Sequence, residues 1–505
     1  MCVAPAQDAP RPHDELTIAR LHQELAHGEA SVRGIEAEYA ARIEALDAKG
    51  PALHALLEVN PDAASIAARL DAQRGRYGVL FGVPVLLKDN IDTADAMLTT
   101  AGSLALIDSK PARDAFIVRR LRAAGALILG KTNLSEWANY RSKRSSSGWS
   151  GRGGQTENPY ALDRNPCGSS SGSGAAIAAD LALVAVGSET DGSVTCPASV
   201  NALVGIKPTV GLVSRSGIIP ISASQDTAGP LARTVADAAA LLGVLAGYDP
   251  DDPATEPLRK HPPADFTAFL DPAALQGARI GVMRQFAGFH EQVDALFEQA
   301  LAVLRARGAV LVDPADIASA DKLDADEQIV LSYEFKDGIN RYLATRSGGG
   351  PRTLAQLIAF NEREAQREMP FFRQELFIEA QARGALSEPQ YLQARERARR
   401  LAGPEGIDAA LGRDHLDALV APTAGPAWTS DVLNGDHVVG GGVTTPPAVA
   451  GYPHVSVPMG QVHGMPVGLS FVGTAFSDAK LIGYAYAYEQ ASLARRPPRF
   501  PATLP

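Results

Sequence analysis

Three separated stretches of the chain hold side chains that can attack a carbonyl carbon or carry a proton. Lys88 lies near the end of VLFGVPVLLKDNI (79–91), CGSSSGSG (167–174) gathers four serines among small residues, and SETDGSVTCPAS (188–199) contains Ser193. A serine hydroxyl is a poor nucleophile until a base takes its proton. Lysine serves as that base only when neutral, which near neutral pH asks for a pKa lowered by about three units, roughly 4 kcal/mol of differential solvation. The apolar VPVLL run before Lys88 can supply the burial this requires. The competing role for Lys88 is an ion pair with its neighbour Asp89. Successive side chains of a strand point to opposite faces, which weakens that pairing.

Two short patterns suggest other chemistry. GALILGKT (125–132) matches the phosphate-binding pattern G-x-x-x-x-G-K-T letter for letter. A phosphate loop follows a strand and exposes N–H groups from a glycine-rich turn, whereas here a helical pattern precedes Gly125 and the residues between the glycines are themselves an apolar strand. GSSSG (168–172) matches G-x-S-x-G and names Ser170 as a nucleophile, with His415, His437, His454 and His463 downstream as candidate bases. That elbow needs a strand in front of it, and NPYALDRNPC reads as loop. The pairing of Ser170 with a histidine stays open at this point.

The elements that must position these groups alternate between helix and strand. Two amphipathic helices (16–28 and 32–50) open the fold, and a strand (79–91), a helix (115–125) and a strand (126–133) follow. A loop rich in Ser, Gly and Asn is expected over 141–174, then a strand over 181–188, so that two Ser/Gly clusters flank one strand. Helices and strands alternate again after Pro230, residues 324–412 are almost wholly helical, and short strands return in DALVAP, VSVPM and VGLSFVG before a last helix (479–493). The pattern predicts an α/β fold.

Composition bounds the partners. Hydrophobic residues make up 46% and charged residues 21% of 505 residues, which suits one large globular domain with insertions. A net charge of −10 and a pI near 5.6 argue against a nucleic-acid partner. No window of about 18 apolar residues points to a membrane span. Cys2, Cys167 and Cys196, with no C-x-x-C pair, suggest neither a disulfide framework nor a zinc site. The opening MCVAPAQDAPRPHDE has no basic or apolar signal regions, yet such an Ala/Pro-rich lead also follows trimmed export signals. A cytoplasmic and a periplasmic location both stay open.

In order along the chain, GVPVLLKDNI, GKTNLSEWA, GSSSGSGAAIA, GSETDGSVTCPAS, VGIKPTVGLV, SQDTAGP, DALVAPT, AGYPHVSVPMG and GMPVGLSFVG resemble the amidase signature hydrolases, over about residues 15–495. The resemblance implies a single large α/β domain over 14–500, with a mixed central β-sheet covered by helices on both faces. Within it lie a signature core (79–235), a helical insertion (324–412) and a C-terminal return to the sheet (413–495). It also implies a Ser–cis-Ser–Lys triad, carried onto Ser193 as nucleophile, Ser169 as bridging serine and Lys88 as base. The N–H groups of Thr190, Asp191, Gly192 and Ser193 are implied to meet the oxyanion, and Ser170 joins the substrate-binding set. Neither cofactor nor metal is implied.

Departures from the family pattern narrow the substrate. Many members read Asp-Thr-Gly-Gly-Ser where this chain has Glu189-Thr190-Asp191-Gly192-Ser193, so Asp191 either contacts the substrate or shapes the turn. Many also carry an arginine where Thr195 and Cys196 stand, which argues against a small dicarboxylate half-amide. Together with LSEWANYRS, LSYEFKDGINRYL and LAGPEGIDAAL, the chain is most similar to bacterial peptide amidases, which release ammonia from the C-terminal amide of peptides. The expected partner is a peptide amide or small amide, bound by a monomer or simple homo-oligomer. The alternatives are a broad aliphatic or aryl amidase, and an amidotransferase subunit that works on charged transfer RNA within a complex. Residues 137–140 are expected either in the pocket wall or in the core.

Overall fold

The computed structural model describes residues 15–73 and 78–504. The N-terminal lead with Cys2, and residue 14, where the domain is expected to start, lie outside them. Eleven strands form one sheet: β1 Leu56–Val59, β2 Pro84–Lys88, β3 Leu127–Thr132, β4 Val184–Glu189, β5 Val204–Lys207, β6 Thr227–Ala232, β7 Arg279–Val282, β8 Val310–Val312, β9 Ala418–Pro422, β10 His454–Val462 and β11 Met465–Val472. Their spatial order is β1-β3-β2-β4-β6-β5-β10-β11-β9-β7-β8. β2 runs parallel to β3 and β4, and β7 parallel to β8 and β9. The other neighbours are antiparallel, so the sheet is mixed as expected.

Every residue of β2, β3, β4 and β9 is buried. Such strands are covered on both faces and therefore read as continuous apolar runs rather than as alternation. GALILGKT is the turn at Gly125 followed by β3, with Lys131 inside the strand.

The serine-rich stretch expected to remain loop as far as Gly174 turns helical at Ser171, as the helix Ser171–Ala178. Serine and glycine are weak helix formers, and all eight residues are buried, so no amphipathic period marks the helix in the sequence. Gly172 explains its placement: a Cβ there would lie 2.2 Å from the Ala55 carbonyl oxygen and 2.6 Å from that of Asn133. Glycine lets the helix lie directly on those backbones, beside β2, β3 and β4.

The segment expected to be a helical insertion runs from the helix Asp324–Thr345 to the helix Asp408–Arg413. It builds a second apolar cluster in which Phe335 and Phe377 pack with Trp137, Tyr140, Ile219 and Ile221. Trp137 meets Phe377 edge-on at 5.8 Å and Tyr140 lies 4.8 Å from Phe335, so both aromatics of 137–140 belong to a core. No helix among the described residues is long and apolar enough to cross a membrane.

The cysteine count gave no disulfide framework, yet Cys167 and Cys196 are bonded. Their Cα atoms lie 6.0 Å apart although 29 positions separate them in sequence. Only the fold brings the serine-rich segment against the helix Thr195–Val200.

Candidate active site

Lys88 ends β2 with no exposed surface. Its Nζ lies 2.7 Å from Ser169 Oγ, 3.0 Å from the Ser188 carbonyl oxygen and 3.0 Å from Ser188 Oγ. Burial pulls its pKa down to about 7, against the opposing pull of Glu189 and Asp226. Asp89 does not pair with it. Its carboxylate accepts from Thr100 and from the Gly102 N–H, in keeping with the opposite faces of consecutive strand residues.

The two serine segments lie side by side. The Gly168–Ser169 peptide bond is cis, the Ser169 carbonyl accepts from Ser135 N–H at 3.1 Å, and Ser170 N–H donates to the Ser193 carbonyl at 3.1 Å. The hydroxyl of Ser170, expected in the substrate-binding set, is engaged instead by the backbone at the end of β4: it donates to the Ser188 carbonyl at 3.1 Å and accepts from Ser188 N–H at 3.2 Å. Among the described residues no histidine contacts Ser170. His415, His437 and His463 are exposed, while His454 is buried 2.6 Å from Ser470 Oγ and pushed down to about 3 by burial and then by Lys207. The elbow alternative therefore lacks its base.

The turn carrying Ser193 is held from several sides. Gly192 has φ +75°, and Glu189 accepts from Val194 N–H at 2.7 Å and Thr195 N–H at 2.9 Å, binding the first turn of the helix Thr195–Val200. Thr190 Oγ1 donates to Asp226 at 2.6 Å. Asp191 accepts from Thr445 Oγ1 at 2.7 Å. Glu327 of the insertion accepts from Gln225 at 2.8 Å, and burial together with the Asp191 charge raises its pKa. Asp191 thus anchors the turn. The N–H groups of Thr190, Asp191, Gly192 and Ser193 meet no protein acceptor among the described residues, which leaves them available to a developing negative charge.

A cavity of about 430 Å³ borders this network through Asn90, Ala138, Ser188 and Thr190. No group of three or more metal-ligating side chains occurs among the described residues. Sequence reasoning did not single out Ser188, Asn90 or Asp226. A lone serine or asparagine at a strand end carries no pattern of its own, and only the pairing of β2 with β4 brings Ser188 to Lys88.

The amidase family model matches residues 36–482. A probable amidase of Arabidopsis thaliana is 41% identical over 470 residues, covering 91% of this chain and 87% of that relative. A glutamyl-tRNA(Gln) amidotransferase subunit of Acinetobacter baylyi is 33% identical over 480 residues, covering 94% and 96%. The solved structure of native peptide amidase from Stenotrophomonas maltophilia is 53% identical, with a TM-score of 0.91 over 97% of this chain and 99% of that one. With the family model and these relatives matched along most of its length, the chain belongs to the amidase family.

Proposed function

We propose that this amidase cleaves the C-terminal amide of peptides, with Ser193 as nucleophile, Ser169 as proton relay and Lys88 as base. The observation that carries the chemistry is the 2.7 Å contact between buried Lys88 Nζ and Ser169 Oγ, beside the segment of Ser193. Ser193 Oγ attacks the carboxamide carbon while its proton passes to Ser169 and the proton of Ser169 passes to neutral Lys88. The carbonyl oxygen becomes an oxyanion that accepts from N–H groups of the Thr190–Ser193 turn (Thr190, Asp191, Gly192 and Ser193), each such donor worth about 3 kcal/mol in a dry site. Collapse breaks the C–N bond, the proton returns along the same path, and ammonia leaves. Water then attacks the acyl-enzyme, giving up a proton to the same base, and releases the acid and Ser193.

The 53% identity to a peptide amidase, against 33% to a component of an amidotransferase, supports the peptide reading. The test is ammonia release from a neutral dipeptide amide, a peptide with a free C-terminus, a simple aliphatic amide and an aryl amide. Selective turnover of the dipeptide amide is expected. Better turnover of the simple amides would move the assignment to a general amidase, and silence on all four to a partner-dependent amidotransferase.

A further inference from the structure

Ser169 is one of three oxygens around Lys88 Nζ; both others belong to Ser188, at 3.0 Å each. A neutral primary amine has two N–H bonds and one lone pair, so three neighbours fill its free directions. A carbonyl oxygen only accepts, which commits one N–H to the Ser188 backbone. Ser188 Oγ is itself held by an N–H of the Asn90 carboxamide at 2.8 Å. The hydroxyl keeps a second lone pair for the amine, and because Ser188 lines the cavity, its own proton has solvent to meet.

We propose that Ser188, oriented by Asn90, is a positioning residue for the base: its two oxygens take both N–H bonds of neutral Lys88 and so aim the lone pair at Ser169 Oγ. The inference rests on the reading of Lys88 as the base. It also gives Ser188 a second effect. When Lys88 is protonated, both oxygens point negative dipole ends at the ammonium and favour that form, in the same direction as Glu189 at the end of β4 and Asp226 just before β6. The helix Ser171–Ala178 brings no charged residue, and Lys131 of β3 projects from the other face of the sheet, toward Ile91 and Thr99.

Removing the hydroxyl should therefore slow proton transfer and make Lys88 easier to deprotonate. In Ser188→Ala, kcat is expected to fall about tenfold to a hundredfold with KM nearly unchanged, while the acid limb of the kcat/KM profile moves to lower pH by about half a unit. Ser188→Thr keeps the hydroxyl, and its extra methyl has the cavity beside it, so it should restore most of kcat and the wild-type limb. Asn90→Ala should show a weaker version of the same pair of changes. A Ser188→Ala enzyme with wild-type kcat and limb, while Lys88→Ala is inactive, would overturn this inference alone. So would a loss of kcat with an unmoved limb and no rescue by threonine, the signature of a merely structural side chain. Full activity in Lys88→Ala would overturn the base and this inference together.

Discussion

Lys88 and Lys131 lie on neighbouring strands, offset by one residue: Leu87 of β2 pairs with Lys131 of β3, and Lys88 with Thr132. Both lysines are fully buried, and burial lowers the proton affinity of both. Their surroundings differ because the offset sends them to opposite faces. Thr132 meets Ser173 at 2.7 Å and Lys88 meets Ser169, both toward the helix Ser171–Ala178. Lys131 donates to the Ile91 carbonyl at 2.6 Å and Thr99 Oγ1 at 2.8 Å, within the field of Asp89, Asp92 and Asp95. A lowered pKa is therefore not enough to make a base. Contact with the Ser169 hydroxyl, the relay to Ser193 in the proposed mechanism, separates the two residues, and one step of strand register decides which of them has it.

The contrast is tested most severely by substitution on the catalytic face. Lys88→Ala and Ser193→Ala are each expected to lower kcat/KM for a dipeptide amide by about 10⁴-fold or more, and Ser169→Ala by about 10²- to 10⁴-fold, with thermal unfolding showing the fold retained. Activity near wild type in Lys88→Ala would remove the distinction between the two lysines.

On the other face the effect should fall on stability. Lys131→Met removes one cation from the field of Asp89 and Asp92, which keep Arg152 and Arg346 at 3.7 Å, and leaves the Ile91 carbonyl without its donor; it is expected to cost about 1–3 kcal/mol by denaturant unfolding, with kcat of the folded enzyme preserved. A kcat loss matching that of Lys88→Ala would make Lys131 part of the chemistry.

The disulfide tests how far the catalytic face depends on its frame. Cys167 directly precedes Gly168–Ser169 and Cys196 lies three residues after Ser193, so the bridge fastens both serine segments. Replacing both cysteines by serine should lower stability by about 3–4 kcal/mol through the freed loop, with a smaller loss of activity. Equal unfolding curves with and without reductant would show that the bridge does not form.

Changing pH probes Lys88 itself. As the proposed base Lys88 must be neutral to act, and its folded pKa is lowered to about 7, so kcat/KM should be flat above that pH and fall below it. Each further pH unit corresponds to about tenfold, or 1.4 kcal/mol. An acid limb centred near 10 would mean that burial does not depress Lys88.

Much of this arrangement is legible along the chain. The apolar run before Lys88, the strand reading of GALILGKT and the helical character of residues 324–412 can be read from local pattern, whereas Ser169 and Ser193 are singled out among the serines only by the family resemblance. The helix at Ser171 cannot, because its small residues have weak propensity and its complete burial erases any period. Nor can the Cys167–Cys196 pair, since counting cysteines says nothing of the distance between them.

The linear chain thus specifies which residue types are available to attack and to take a proton, and that Lys88 stands at the end of an apolar strand, because burial and strand period are local properties. Folding in three dimensions was needed to show that Ser170 bonds to the β4 backbone, that Asp191 anchors the turn to Thr445, and that Ser188 and Asn90 complete the surroundings of Lys88. Those contacts join strands, turns and a helix far apart in sequence. A hydrogen bond of about 3 Å depends on how such elements pair and pack, which no local pattern encodes.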